Sequence, residues 1–303
     1  MDFARLTGLI AATYTPLNDR SQLKTEGVPA MVDHLIEQGI QGLYVCGSTG
    51  EGMSLSSADR KSVTEAYVQA AAGRVPVIVQ VGHNSLDEAR ELAAHAAQCG
   101  ADMISATCPS YFKITAVDAL VDSMQVIAAG APELPFYYYH IPALTGSAID
   151  MPEFLQLAGK RIANLVGIKY TAPTLFEFQM CQSVDGGRFD IVWGCDEMLL
   201  GAYATGAQAG IGSTYNVAPA LYRNLVSAIE QGNWDEARRL QLVSIEMIRT
   251  IGRYPFHPAM RRVLGFQGFD VGDCLLPQPK LSEQQAQQLR SDLESIGFFD
   301  WAL

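Results

Sequence analysis

An eightfold alternation constrains this chain more than any other feature. From residue 9 to residue 231, short apolar runs and longer segments of helical periodicity follow one another eight times. The apolar runs are 9–15, 43–46, 75–81, 103–108, 135–141, 165–171, 189–193 and 209–212, bounded by glycine, proline and polar residues. The helical segments are 25–38, 57–72, one opening at Ser85, 116–129, one opening at Asp150, one at Thr174, 197–204 and 218–231. Ser85-Leu86-Asp87-Glu88 reads as a capping box, and Thr174 to Glu177 as a helix cap. Runs that are apolar on both faces belong in a parallel sheet covered on both sides. Strict strand-then-helix order in units of about 30 residues predicts an α/β fold, a (β/α)8 TIM barrel over residues 1–232. An open doubly wound sheet is the rival. Against it, no Gly-x-Gly-x-x-Gly follows the first run and no Gly-x-x-x-x-Gly-Lys occurs. Beyond residue 232 the alternation stops. Segments 234–251, 258–264 and 281–296 read as helices, with a capping box at Ser282 to Gln285, and predict a C-terminal helical extension, 233–303, packed on the barrel.

Composition narrows the partners. Hydrophobic residues make up 49% of the chain, enough for a large core, and the formal charge is −11 with no basic run. Such a surface predicts no nucleic-acid partner and no anionic membrane. No apolar run is long enough to span a bilayer. The opening Met1-Asp2-Phe3-Ala4-Arg5 does not read as a signal peptide. No pair of the six cysteines has Cys-x-x-Cys spacing, and none reads as grouped with histidine at metal-ligand spacing. The expectation is a reduced, cytoplasmic protein with no catalytic metal.

In a barrel of this kind, chemistry belongs at the carboxyl ends of the strands. The sixth run, Leu165-Val166-Gly167-Ile168-Lys169-Tyr170-Thr171, carries a lysine in an apolar strand. Burial disfavours the charged amine and leaves a nucleophile fit for Schiff-base chemistry; a strand-end lysine that reaches water is the plainer alternative. Thr171 lies two residues on, facing the same way. After the second run, Gly47-Ser48-Thr49-Gly50-Glu51 offers two hydroxyls and glycine-freed N–H groups to an anion, or forms only a tight turn. In Tyr137-Tyr138-Tyr139 the outer two share a face, where a phenol can shuttle a proton or simply pack. Gly194, Cys195, Asp196 and Glu197 follow the seventh run; the two acids suit substrate hydroxyls or a helix N-terminus. Ser213 and Thr214 follow the eighth.

Four stretches together resemble the dihydrodipicolinate synthase / N-acetylneuraminate lyase family: Gly47 to Glu51, Tyr139-His140-Ile141-Pro142-Ala143-Leu144-Thr145-Gly146, Gly167 to Thr171, and Gly210-Ile211-Gly212-Ser213-Thr214-Tyr215-Asn216. The resemblance spans the whole chain. It implies a class I, pyruvate-dependent aldolase on a (β/α)8 barrel, working without cofactor or metal through a covalent imine on Lys169. It further implies that Ser48 and Thr49 hold a carboxylate and that Tyr139 relays a proton. Tyr111 would be lent to a neighbouring subunit's site, which implies an oligomer, a homotetramer in many relatives. Dihydrodipicolinate synthases are similar to one another in an arginine within the turn after the tyrosine strand; here Ala143-Leu144-Thr145 stands in that turn. The turn and Asp196-Glu197 resemble instead the N-acetylneuraminate lyase branch, in which positions matching Thr171, Gly194, Asp196, Glu197 and Ser213 contact the sugar. The small-molecule substrate implied is N-acetylneuraminate, cleaved to N-acetylmannosamine and pyruvate. Ser110, where relatives often carry an aromatic residue, and Cys195 depart from the family pattern. Two alternatives stay open: another 2-keto-3-deoxy sugar-acid aldolase or dehydratase, and a non-catalytic barrel that binds a keto or sugar acid.

Overall fold

The computed structural model describes residues 3–302. Eight parallel strands close in sequence order into a barrel: β1 Gly8–Ala12, β2 Gly42–Val45, β3 Val77–Gln80, β4 Met103–Ala106, β5 Phe136–His140, β6 Leu165–Tyr170, β7 Asp190–Trp193 and β8 Ala209–Gly212. The rival open sheet is thereby excluded. Eight helices alternate with them: α1 Val28–Glu37, α2 Ser57–Ala71, α3 Leu86–Gln98, α4 Val117–Ala128, α5 Met151–Arg161, α6 Leu175–Ser183, α7 Leu199–Ala204 and α8 Pro219–Glu230. Most strands are shorter than the apolar runs that predicted them. Residues 13–15, 107–108 and 171 are apolar or hydroxyl-bearing but fall outside the strands, although the Thr13 and Thr171 N–H groups still donate to the Tyr44 and His140 carbonyls at 3.0 and 2.8 Å.

Local chemistry explains where the helices begin. Pro29, Pro152 and Pro219 sit in the first turns of α1, α5 and α8, where a missing N–H is harmless. Ser56, Ser85 and Asp150 each accept a backbone N–H three residues on. Thr174 does not: it stands at the N-cap of α6 but its side chain makes no capping bond. Glu177, read as its partner, instead accepts from the Met151 N–H at 3.3 Å and from the Tyr170 hydroxyl.

Two apolar layers result from the period-2 alternation along each strand. Ile10, Tyr44, Ile78, Tyr137, Tyr139, Val166 and Val192 point inward and fill the barrel. Leu43, Val79, Tyr138, Ile168, Ile191 and Trp193 point outward against the helices. Lower in the barrel, Asp190 accepts hydrogen bonds from Tyr137 (2.7 Å) and the Leu6 N–H (3.0 Å).

Three long helices and a short one follow the barrel: α9 Trp234–Ile251, α10 Phe256–Phe266, α11 Glu283–Ser295, opened by a reciprocal capping box between Ser282 and Gln285, and α12 Phe298–Trp301. Their buried faces, including Met247, Met260 and Leu289, belong to the same apolar cluster as the barrel helices. Among the described residues no helix is long and apolar enough to cross a membrane.

Candidate active site

Sheet register brings the lysine and the tyrosine together. Lys169 of β6 pairs across the ladder with Tyr139 of β5 on one side and Val192 of β7 on the other, so both functional side chains emerge on the inner face at one level. Lys169 Nζ sits 3.8 Å from the centre of the Tyr44 ring and 4.1 Å from that of Tyr139. Among the described residues it makes no ion pair or hydrogen bond. Lys169 is 3% exposed, and burial lowers its pKa from the ordinary 10.5 to about 7, opposed by the nearby Asp196 and Cys195. An amine with that pKa is about half uncharged at pH 7, and a nucleophile must be uncharged.

Above the amine lies a cavity of about 300 Å3. Ser48, Thr49, Tyr139, Thr171, Gly194, Asp196, Glu197 and Ser213 all border it. These eight come from five strand ends, those of β2, β5, β6, β7 and β8, and the loops beyond them. Tyr137 does not reach it; held by Asp190 one layer down, it leaves Tyr139 as the phenol at the mouth. Burial pushes the Tyr139 hydroxyl up to about 12, and Ser48 Oγ lies 3.4 Å from it. Thr49 Oγ1 and Ser213 Oγ are 2.6 Å apart, tying the β2 loop to the β8 loop across the mouth.

The Ser48-Thr49 turn is held in a strained shape. Cys46 and Glu51, both non-glycine, take positive φ of 58° and 54° and bracket it. Thr15 Oγ1 donates to the Gly50 carbonyl at 2.6 Å. Glu51 is buried and faces away from the cavity's centre, where Arg261 of α10 donates to it (Nε to Oε1, 3.0 Å) and the Leu275 N–H donates to its other oxygen at 2.7 Å.

The two adjacent acids differ. Asp196 is buried, and desolvation raises its carboxyl to about 6 even though it accepts from the Thr214 N–H (2.9 Å) and hydroxyl (2.6 Å). Glu197 is exposed at the rim. Two glycines make room here. A Cβ on Gly212 would stand 2.0 Å from Asp196 Oδ1, and one on Gly194 would stand 2.0 Å from Thr171 Oγ1. Thr171 Oγ1 is buried and has no protein partner, a free hydrogen-bonding group aimed at the cavity wall.

Tyr111 is the sequence-predicted residue that this chain does not bring to its own cavity. It stands 79% exposed beside Phe112, also exposed, on a loop whose backbone N–H groups at Ser110 and Tyr111 donate to Asn84. Sequence reasoning also missed residues that do reach the cavity: Ile248, Phe256 and His257, from α9 and α10. Gln241 of α9 supports the same corner, donating to the Asp196 carbonyl at 3.2 Å. Nothing in the local spacing of α9 or α10 says that they fold over a barrel mouth. A larger cavity, about 690 Å3, lies elsewhere, around Gly8, Gln41, Gln208 and Arg223, and its charged residues are exposed.

Fold and cavity together define a (β/α)8 barrel with a desolvated lysine and a phenol facing a hydroxyl-lined mouth. The family model of the dihydrodipicolinate synthetase family matches residues 5–296, and the chain belongs to that family. It is 46% identical over 280 residues to N-acetylneuraminate lyase A of Xenopus laevis, covering 90% of each chain. Among solved structures it resembles Proteus mirabilis N-acetylneuraminate lyase, with a TM-score of 0.95 at 37% identity over 97% of this chain and 100% of that one. A prophage protein of the dihydrodipicolinic acid synthase family from E. coli K12, solved in complex with pyruvate, gives a TM-score of 0.89 at 28% identity over 97% of this chain and 99% of that one.

Proposed function

We propose that this protein is a class I aldolase, a carbon–carbon lyase that reversibly cleaves N-acetylneuraminate to N-acetylmannosamine and pyruvate. The observation that carries the reading is Lys169: a buried amine with a pKa lowered to about 7, free of any carboxylate partner and open to a polar cavity. In the cleavage direction the Lys169 amine adds to the substrate's keto carbon and water leaves, giving a protonated imine. That imine is an electron sink. The hydroxyl two carbons further along loses its proton, the carbon–carbon bond breaks, and the electron pair is taken up as an enamine. Tyr139, 4.1 Å from the lysine nitrogen by its ring and linked to Ser48, is the group we assign to that proton. Protonation of the enamine and hydrolysis release pyruvate. The chain supplies its own nucleophile, so the scheme uses no cofactor and no metal.

Ser48 and Thr49 are assigned to the carboxylate next to the keto carbon. Their turn carries glycine-freed N–H groups and a neutral pair of hydroxyls, a suitable anion cradle. Thr171, Gly194, Asp196, Glu197 and Ser213 are assigned to the sugar hydroxyls. Two carboxylates at that end favour a polyol and disfavour a second acid group, which supports a sugar-acid substrate over a dicarboxylic one. His257 and Phe256 close the same end. Tyr111 is assigned to the site of a neighbouring subunit in a homotetramer, and the compartment is the cytoplasm.

The discriminating experiment is a substrate panel scored by pyruvate release. N-acetylneuraminate is cleaved with kcat/KM at least about tenfold above 2-keto-3-deoxygluconate and related acids. Preference for a different keto-deoxy acid would move the assignment to another aldolase of the family, and binding without turnover of any would make the barrel a sensor.

A further inference from the structure

A buried line of hydroxyls runs from the C-terminal extension to one of the two acids at the cavity. Thr214 Oγ1, just past β8, lies 2.6 Å from Asp196 Oδ2 and 2.6 Å from the Tyr222 hydroxyl of α8. That hydroxyl lies 2.8 Å from Ser244 Oγ of α9. Thr214, Tyr222 and Ser244 are all buried, so bulk solvent does not break the line. The order of donors follows from counting protons. Each hydroxyl carries one hydrogen, and an ionised carboxylate only accepts. With Asp196 ionised, Thr214 must donate to Oδ2, Tyr222 must donate to Thr214, and Ser244 must donate to Tyr222. Every bond then points toward the charge, and hydrogen bonds aligned in one sense reinforce one another. The Thr214 N–H adds a second donor to the same oxygen at 2.9 Å.

The other carboxylate oxygen is left for a ligand. Among the described residues Oδ1 accepts no hydrogen bond, and Asp196 borders the cavity. The same face of α9 also grips the Asp196 backbone. Gln241, one turn before Ser244, donates to the Asp196 carbonyl at 3.2 Å and accepts the Leu200 N–H at 2.8 Å, while Ile248, one turn after it, borders the cavity. Packing alone does not call for the two outer hydroxyls. Phenylalanine and alanine would fill positions 222 and 244, and the Tyr222 ring packs edge-on against Tyr215, centroids 4.6 Å apart, with or without its oxygen.

We propose that Tyr222 and Ser244 are positioning residues for substrate choice: acting through Thr214, they fix Asp196 so that Oδ2 stays bonded within the protein and Oδ1 is presented to a hydroxyl of the polyol. The proposal rests on the aldolase reading and on the assignment of Asp196 to the sugar.

The test uses the intact protein and two probes. Pyruvate, trapped on Lys169 by borohydride, reads the amine and the carboxylate cradle. The sugar acid cleaved best in the substrate panel reads the cradle and the polyol end together. Tyr222→Phe and Ser244→Ala each raise KM for the sugar acid at least about threefold, and Thr214→Val at least about tenfold, with kcat changed less than KM. Thr214→Ser, which keeps the hydroxyl, stays within about twofold of wild type. The pyruvate concentration that gives half-maximal trapping is unchanged in all four. Ser244→Ala, the smaller change, carries the test if Tyr222→Phe does not fold. A KM raised less than about threefold in both outer variants, or pyruvate trapping that falls in step with sugar-acid cleavage, means that the line only supports the fold and overturns the proposal. Wild-type protein that traps no pyruvate overturns the aldolase reading and this one with it, whereas intact trapping with an unchanged KM overturns this one alone.

Discussion

A lysine amine without a counter-ion in a barrel interior is a local cost, and the cost has a sign. Folded, Lys169 holds its proton only below about 7; unfolded, it holds it to its ordinary 10.5. Between those values the unfolded chain binds one proton more, so stability rises with pH across that window, and the penalty is fully present below it. Lys169→Met, isosteric and apolar, is therefore expected to stabilise the protein by about 1–3 kcal/mol at pH 7 while abolishing turnover. Urea unfolding of the two proteins at pH 7 measures it; an unchanged or lower midpoint would contradict a buried, costly amine. The same titration sets the activity profile. The free amine must attack, and Asp196, raised to about 6, serves sugar hydroxyls best when ionised. Both changes run the same way, so kcat/KM is expected to climb from pH 5.5 to about pH 7.5 and then level. A profile that falls across that interval would contradict both assignments.

At the scale of elements, the cavity is assembled by contacts that run far along the chain. Arg261 of α10 reaches the β2 loop, where it donates to Glu51 and to the Thr15 and Val271 carbonyls. Both charges are 1% exposed at the side chain, so removing one strands the other. Arg261→Met is expected to cost about 3–5 kcal/mol and to raise KM, because Glu51 anchors the turn carrying Ser48 and Thr49. Chemical denaturation together with steady-state kinetics reads both effects; a loss below about 1 kcal/mol with unchanged KM would show that the pair does not hold the turn. This link marks the limit of what the sequence reveals. The eight strands and the position of Lys169 at a strand end follow from local periodicity, because each apolar run is short, continuous and bounded by turn residues. Most residues bordering the cavity follow from the rule that barrel chemistry sits past the strand ends. Phe256, His257, Gln241 and the Arg261–Glu51 pair do not, because a pairing over 210 positions leaves no trace in spacing.

On the scale of the whole molecule, an exposed Tyr111 beside an exposed Phe112 is an unusual surface for a chain with so large a core. We read it as the part that one subunit lends to another. If each cavity needs its own Lys169 and a neighbour's Tyr111, two inactive proteins complement. Lys169→Met and Tyr111→Phe chains, mixed after mild dissociation and reassociated, are expected to regain up to about a quarter of wild-type activity, since random dimers place an intact pair in a minority of sites. No recovery from a mixture shown by mass to contain hybrids would confine Tyr111 to another role. The helices after the barrel belong to the same molecule-wide core: Met247, Met260 and Leu289 are fully buried in the cluster that wraps the strands.

The central claim is covalent, and borohydride trapping tests it most directly. The protein is incubated with pyruvate, reduced, digested and mapped by mass. The account predicts one reduced pyruvyl adduct per chain, on the peptide containing Lys169, and none in Lys169→Met. Folded protein that binds pyruvate yet yields no adduct, or carries it on another lysine, would contradict the account.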